Sequence, residues 1–284
     1  MLPWLTAFIF GCSKQNDTAE ANSCTEGETA VVLITELVYT LPDEEGHIKG
    51  FNLDQYITES GDDEGCGHED MTSPSGEEGI DSAFSKLAPV LDMIGASQVQ
   101  DYIRAAIETG DLLVVLELSG LDSPLNPDLN DECASLTIKR AKGTPYLGTD
   151  GTILSNQTFE LNAEEPATNT VTVQFSNGEM TASGIDMTLP VQLLDEHVTL
   201  ILNQTSLHLQ SHSDGTFTGY FAGGLPVSAL KDRLSEIGDI GDLSEVVPDM
   251  VETAADLFPT DSGTCSEISI GLDFTGKPAF LFPY

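Results

Sequence analysis

The 284-residue chain carries 47 Asp and Glu against 10 Lys and Arg, a formal net charge of −37. So acidic a balance excludes a nucleic-acid partner, because contact with a phosphate backbone needs a basic face. Its content of Leu, Ile, Val and Phe still exceeds that of chains too charged to collapse, so a core can form, and the length suits one large domain or two small ones.

Residues 1–10 are apolar, too short to span a bilayer, and have the form of the apolar region of a secretory signal. Gly11-Cys12 ends the run and the polar stretch Ser13-Lys14-Gln15-Asn16-Asp17-Thr18 follows. This resembles the lipobox of bacterial lipoproteins. The resemblance implies lipidation of Cys12, a membrane anchor and, from Ser13, sorting to the outer membrane of a bacterial cell envelope. Residues 1–11 are then a signal peptide, 12–29 a lipidated acidic tether, and 30–284 a single α+β domain. Setting Cys12 aside leaves Cys24, Cys66, Cys133 and Cys265, an even set that reads as disulfides in an exported chain, with the connectivity open. Their wide spacing, with no C-x-x-C, argues against structural zinc.

Val31-Val32-Leu33-Ile34-Thr35-Glu36-Leu37-Val38-Tyr39 is rich in β-branched residues and predicts a strand; Gly50 to Asp54 predicts a second, short one. A long loop follows, Glu59 to Glu78, dense in Gly and acid and containing Cys66. From Ile80 the period changes: Ile80, Phe84, Leu87, Leu91 and Ile94 share one helical face, with Asp81 or Ser82 as cap, a kink or stop at Pro89 and an end at Gly95. Ser97-x-x-Gln100 matches a capping box for a second helix burying Val99, Ile103, Ala106 and Ile107. Leu112 to Leu118 is apolar on both parities, as a central strand buried on both faces should be.

The middle third alternates at strand period through Ala134-Ile138, Val171-Phe175 and Ile185-Leu193, with Asn177-Gly178 and Asp214-Gly215 as hairpin turns. The apolar parity flips between Leu202 and Leu207, which calls for a bulge near Asn203-Gln204. A second helical pair carries Val227, Leu230, Leu234 and Ile237, then Leu243, Val246, Val247, Met250, Ala254 and Leu257; a final strand carries Ile268, Ile270, Leu272 and Phe274. The expected fold is α+β: an antiparallel β-sandwich or strongly curved sheet covered by two helical hairpins.

Signatures of a nucleophile elbow, a zincin, a phosphate loop or a dinucleotide site are missing, which favours a non-enzymatic binding or structural module. His208 and His212, four apart on a strand, lie too far from each other to share a ligand sphere and read as outward residues. Lys139-Arg140-Ala141-Lys142 reads as a water-facing strand edge. The segment from Asp62 to Asp70 packs Asp62, Asp63, Glu64, Glu69 and Asp70 around His68, and oxygen donors in a Gly-bearing loop suit calcium. Asp122, Asn126, Asp128, Asn130 and Asp131 form a weaker candidate, with two prolines and no turn Gly. The same long loop offers carboxylates to the alternative reading, a secreted-type hydrolase. Against a glycosidase, the one Trp, Trp4, lies in the signal, so the mature chain lacks an indole platform for sugar stacking.

Three stretches, Gly50-Phe51-Asn52-Leu53-Asp54, then Cys66-Gly67-x-x-Asp70-x-x-Ser73-Pro74-x-Gly76-x-x-Gly79-Ile80-Asp81, then Leu112-Leu113 through Leu121-Asp122, resemble a group of acidic, uncharacterised bacterial surface lipoproteins. The resemblance implies a surface location and nothing about activity; the expected partner is an unknown envelope or extracellular ligand. It also carries over Asp54, Asp70 and Asp81 as the positions that would hold an ion.

Overall fold

The computed structural model describes residues 24, 26–59, 61–62, 65–93, 97–165, 167–193, 196–236, 246–260 and 264–282. Among these residues lie β1 (Glu28–Tyr39), α1 (Ala83–Met93), α2 (Ser97–Thr109), β2 (Leu113–Leu121), β3 (Asp131–Lys142), β4 (Gln157–Leu161) and β5 (Val171–Ser176). They are followed by β6 (Glu179–Leu193), β7 (Glu196–Ser211), β8 (Phe217–Pro226), α3 (Val227–Glu236), α4 (Val246–Thr253), β9 (Leu257–Pro259) and β10 (Cys265–Phe282).

Turn chemistry and parity place the strands as expected. Asn177 and Gly178 take φ of 52° and 72°, the paired positive values of a type I′ turn, and join β5 to β6. A side chain at Gly178 would also strike Pro127, whose Cα lies 2.6 Å from the position a Cβ would take. The parity flip in β7 is a bulge: the pairing with β8 shifts between Asn203 and Ser206, and Gln204 has a φ of 47°.

The sandwich or open curved sheet is overturned by the pairing of the edges. Strand β1 pairs with both β2 and β10, and β3 pairs with both β2 and β5, so the order β1-β2-β3-β5-β6-β7-β8-β10 closes into an eight-stranded antiparallel barrel. Val32, Leu116, Leu136, Val173, Met180, Leu209, Phe221 and Phe274 project inward and are all buried. Outward parity carries Glu117, Lys139, Gln174, Thr181, His208, Tyr220 and Asp273. This apolar-in, polar-out pattern is the reverse of a barrel that crosses a bilayer, and no described helix is long and apolar enough to do so. At eight strands the bore is narrow enough for side chains to fill it. The Phe221 and Phe274 rings, 4.8 Å apart, pack there.

The helices do not cover a sheet face. The pair α1–α2 ends where β2 begins, and α3–α4 links the end of β8 to the start of β10, so both stand at one mouth. Helix α2 packs against β1 and β6, which lie opposite each other on the ring, and so crosses that mouth. Helix α1 runs through Pro89 without stopping. Neither expected residue caps it: Asp81 accepts from the Leu53 and Asp54 amides, the Ser82 hydroxyl makes no hydrogen bond, and the first amide, on Ala83, donates to Ser269 Oγ at 2.7 Å. The expected helix end at Gly95 and the apolar positions Ile94, Ile237 and Leu243 lie outside the described residues.

Three further expectations are corrected. Gly50 to Asp54 forms no strand; its backbone is held instead by Asp81. The KRAK stretch is no free edge, because β3 is paired on both sides and Arg140 is buried, donating to the carbonyls of Leu113 and Asp111 at 3.2 and 3.0 Å. Outside the ring, β4 pairs with β3 and, in parallel, with the end of β10; the Ile153 carbonyl just before it accepts from Lys277 Nζ at 2.7 Å. Leu33, Leu113 and Val115, although outward in parity, are buried, as expected of a central strand and its neighbour.

Four cysteines form two disulfides, Cys24–Cys133 and Cys66–Cys265. The first fastens the end of the N-terminal segment to β3, and the second fastens the 40–82 loop to the start of β10.

Candidate functional site

The 40–82 loop lies across the outer face of β8 and β10, with Phe51 against Tyr220 at 5.0 Å between ring centres. Its local folds are built by carboxylates that accept main-chain amides. Asp81 Oδ2 accepts from Leu53 at 2.6 Å and Asp54 at 3.3 Å; Asp70 Oδ2 accepts from Thr58 at 2.6 Å; Asp54 Oδ1 accepts from Tyr56 at 2.8 Å. The backbones of Thr58 and Asp70 also pair, Asp70 N donating to Thr58 O at 3.0 Å.

These bonds draw Asp54, Asp70 and Asp81 together. Asp70 and Asp81 share a side-chain hydrogen bond. Burial pushes the Asp81 carboxyl up to about 8, and the charges of Asp54, Asp256 and Asp70 push the same way against the Leu53 amide. Burial also raises Asp70, helped by Asp54 and opposed by the Thr58 amide and by Lys86. Sequence reading missed Asp256, which follows α4 and sits behind this nest. Its carboxylate accepts Ser269 N at 2.7 Å and the Ser269 hydroxyl, and burial still raises it to about 6. A raised pKa, which keeps a proton on Asp81 at neutral pH, is what lets these carboxyls lie near one another in a shielded place.

Around the nest, Lys86 Nζ donates to the Glu69 carbonyl at 2.7 Å. His68 bonds to the main chain at Thr253 and Ala255; burial, then the Lys86 charge, hold its imidazole below the usual value. Asp62 is not in the nest: it is exposed and accepts from Glu59 N at 3.0 Å. Asp63 lies outside the described residues, as does Cys12. Among the described residues no group of three or more His, Cys, Asp or Glu is set to share one ion. The weaker candidate at 122–131 is a turn, in which Asp131 accepts from Asp122 N at 2.8 Å and Cys133 N at 2.9 Å.

A second concavity, of about 700 Å³, opens on the outer face of β5 to β7. Gln174, Ser176, Asn177, Glu179, Thr181 and His208 form its polar wall, and it also borders Val173, Phe175 and Met180, whose side chains turn into the barrel. The His208 ring stacks on Tyr220 at 5.1 Å and its Nδ1 lies 3.4 Å from Thr181 Oγ1. Burial lowers the His208 pKa against the pull of Glu179, so the imidazole is neutral at pH 7 and offers one donor and one acceptor. No Lys or Arg lines the cleft. Set against protein-family models, curated proteins and solved structures, the chain matches none of them.

Proposed function

We infer that this chain is a non-enzymatic envelope or surface protein, exported by its leader, held at the outer membrane through lipidated Cys12, and presenting the capped barrel as a binding or structural module. One observation carries the reading. The buried charged residues among those described, Asp81, Asp131, Arg140 and Asp256, all bond to the main chain and thus hold loops and strand ends in place. The polar surface left for a partner is the outer cleft, whose hydroxyls, amides, Glu132 and Glu179 suit a neutral polar or cationic ligand. Two disulfides on a barrel are compatible with an envelope or extracellular site.

Calcium stabilisation belongs to the same reading. The repulsion among Asp54, Asp70, Asp81 and Asp256 is what a hard divalent cation relieves, and carboxylate oxygens in a covalently fastened loop are its preferred donors. The test is a thermal melt of the full chain in calcium and in chelator. Calcium at about 100 times its dissociation constant adds roughly 2.7 kcal/mol, a rise of several degrees. A melt identical in both removes calcium from the reading. A turnover activity abolished by one carboxylate change overturns the whole of it.

A second reading is favoured by the neighbouring Asp70 and Asp81, since carboxyls with raised pKa values also serve as acid and base in hydrolases. Separate changes Asp62→Asn, Asp63→Asn, Glu69→Gln and Asp70→Asn decide it. A hydrolytic activity untouched by all of them removes these residues from catalysis.

A further inference from the structure

Of the nine large apolar side chains left exposed among the described residues, five fall in one region. Tyr146, Leu147, Leu154, Phe280 and Phe282 gather on one surface, Tyr146 at 76 % exposure and the two phenylalanines at 56 % and 61 %. The backbone brings them together. Leu154 N donates to Tyr146 O at 3.0 Å, and the Gln157 amide bonds to both residues' carbonyls. Gln157 then opens β4, which pairs in parallel with residues 279–282, so Phe280 and Phe282 project on one side while Ala279 lies buried on the other.

Two properties of this surface select its partner. The first is position. Val31 pairs with Ala279, so β1 passes the start of this segment, and the described chain begins at Cys24, bonded to Cys133 at the end of β3 away from Lys142. From Cys12 to Cys24 the tether reaches about 40 Å at most, enough to lay the patch on the surface in which Cys12 is anchored. The second is charge. The whole chain carries −37, yet this side of the ring holds Lys139, Lys142 and Lys277. Lys139 and Lys142 neutralise Glu117 and Glu160, and Asp150 is turned onto its own Thr152. With Lys277 set against Asp150, the charges here nearly cancel, which suits a zwitterionic lipid surface.

We propose that the Tyr146–Leu154–Phe280–Phe282 surface is a membrane-contact face, seating the barrel on a zwitterionic lipid surface. Amphipathic and aromatic rings insert at headgroup depth, and a second contact of this kind turns a tether into a fixed orientation. The proposal rests on Cys12 anchoring for its place in the cell, but not for the contact itself.

The test uses the chain from residue 12 onward, whose described fold begins at Cys24, with Cys12→Ser so that no acyl group is present. It is floated with phosphatidylcholine vesicles at physiological salt. The expected result is measurable flotation, reduced about tenfold by Tyr146→Ser, Phe280→Ser and Phe282→Ser together, the equivalent of about 1.4 kcal/mol. The triple variant must keep its circular-dichroism melt; if it does not, Phe282→Ser alone is read, with a smaller loss expected. Leu41→Ser with Ile57→Ser, exposed apolar residues on the 40–82 loop, should leave flotation unchanged. Absent flotation, or flotation equal in parent and triple variant, overturns the proposal. So does a concentration-dependent dimer that the triple variant loses without any flotation, which assigns the surface to a second copy. Intact mass of the exported protein reads Cys12 separately: an unmodified Cys12 overturns the anchor and leaves the flotation result to stand by itself.

Discussion

Replacing Asp81 by Asn should stabilise the protein at neutral pH and leave it unchanged in acid. In the folded chain the Asp81 carboxyl is raised from 3.8 to about 8. A raised carboxyl favours the folded state fully below the unfolded value near 4, and that advantage is lost as pH climbs through the folded value near 8. At about 1.4 kcal/mol for each pKa unit, the difference accumulated by pH 7 is roughly 4 kcal/mol. Asp70 and Asp256 are raised as well and couple to it, so about half of this, on the order of 2 kcal/mol, is assigned to Asp81 alone. An Asn keeps an oxygen for the Leu53 amide and an N–H for Asp70, as the protonated acid does, but never ionises. Thermal melts of parent and Asp81→Asn at pH 4, 6 and 8 in chelator should therefore coincide at pH 4 and separate by roughly 4–8 °C at pH 8, the variant higher. Equal melting at every pH, or a variant lower throughout, would refute the buried neutral carboxyl. The same pair in calcium adds a second reading: a bound cation needs Asp81 ionised, and the sign at pH 8 then reverses.

Gly219 lies opposite Phe274, and a Cβ there would come within 2.4 Å of the ring, so Gly219→Ala should cost about 2–3 kcal/mol in urea unfolding with the slope unchanged. A larger cost is set for Cys66→Ser with Cys265→Ser, which frees the 40–82 loop: about 4 kcal/mol, with amide exchange of Leu53 and Thr58 rising first. Exchange that rises evenly over the barrel would show that the bond holds the whole fold and not the loop.

Turns, parities and helices were legible in the sequence because their causes are local. Asn177-Gly178 needs only its own φ values, and the bulge at Asn203-Gln204 follows from one change of parity. Closure is not local: β1 meets β10 some 240 positions along the chain, as where Thr35 Oγ1 reaches the Thr275 carbonyl, and an alternating strand reads the same in a sandwich as in a barrel. Strand β4 was missed because Phe159 is its one fully buried side chain. Of the site, Asp54, Asp70 and Asp81 were named through the resemblance alone and do meet, whereas Asp256 reaches them only through the β10 pairing. Arg140 did carry a signal: it continues the inward parity of Leu136 and Ile138, which a water-facing edge would not.

The Cys24–Cys133 bond sets how the molecule carries load. A pull applied at the N-terminus arrives at Cys24, four residues ahead of β1, and crosses the disulfide directly into β3. Strand β1, which would otherwise be unzipped rung by rung from β2 and β10, lies inside the covalent loop and is shielded from tension. A force on the first described residue is in this way borne by the wall of the barrel and not by its seam, so it should not open the ring strand by strand from β1.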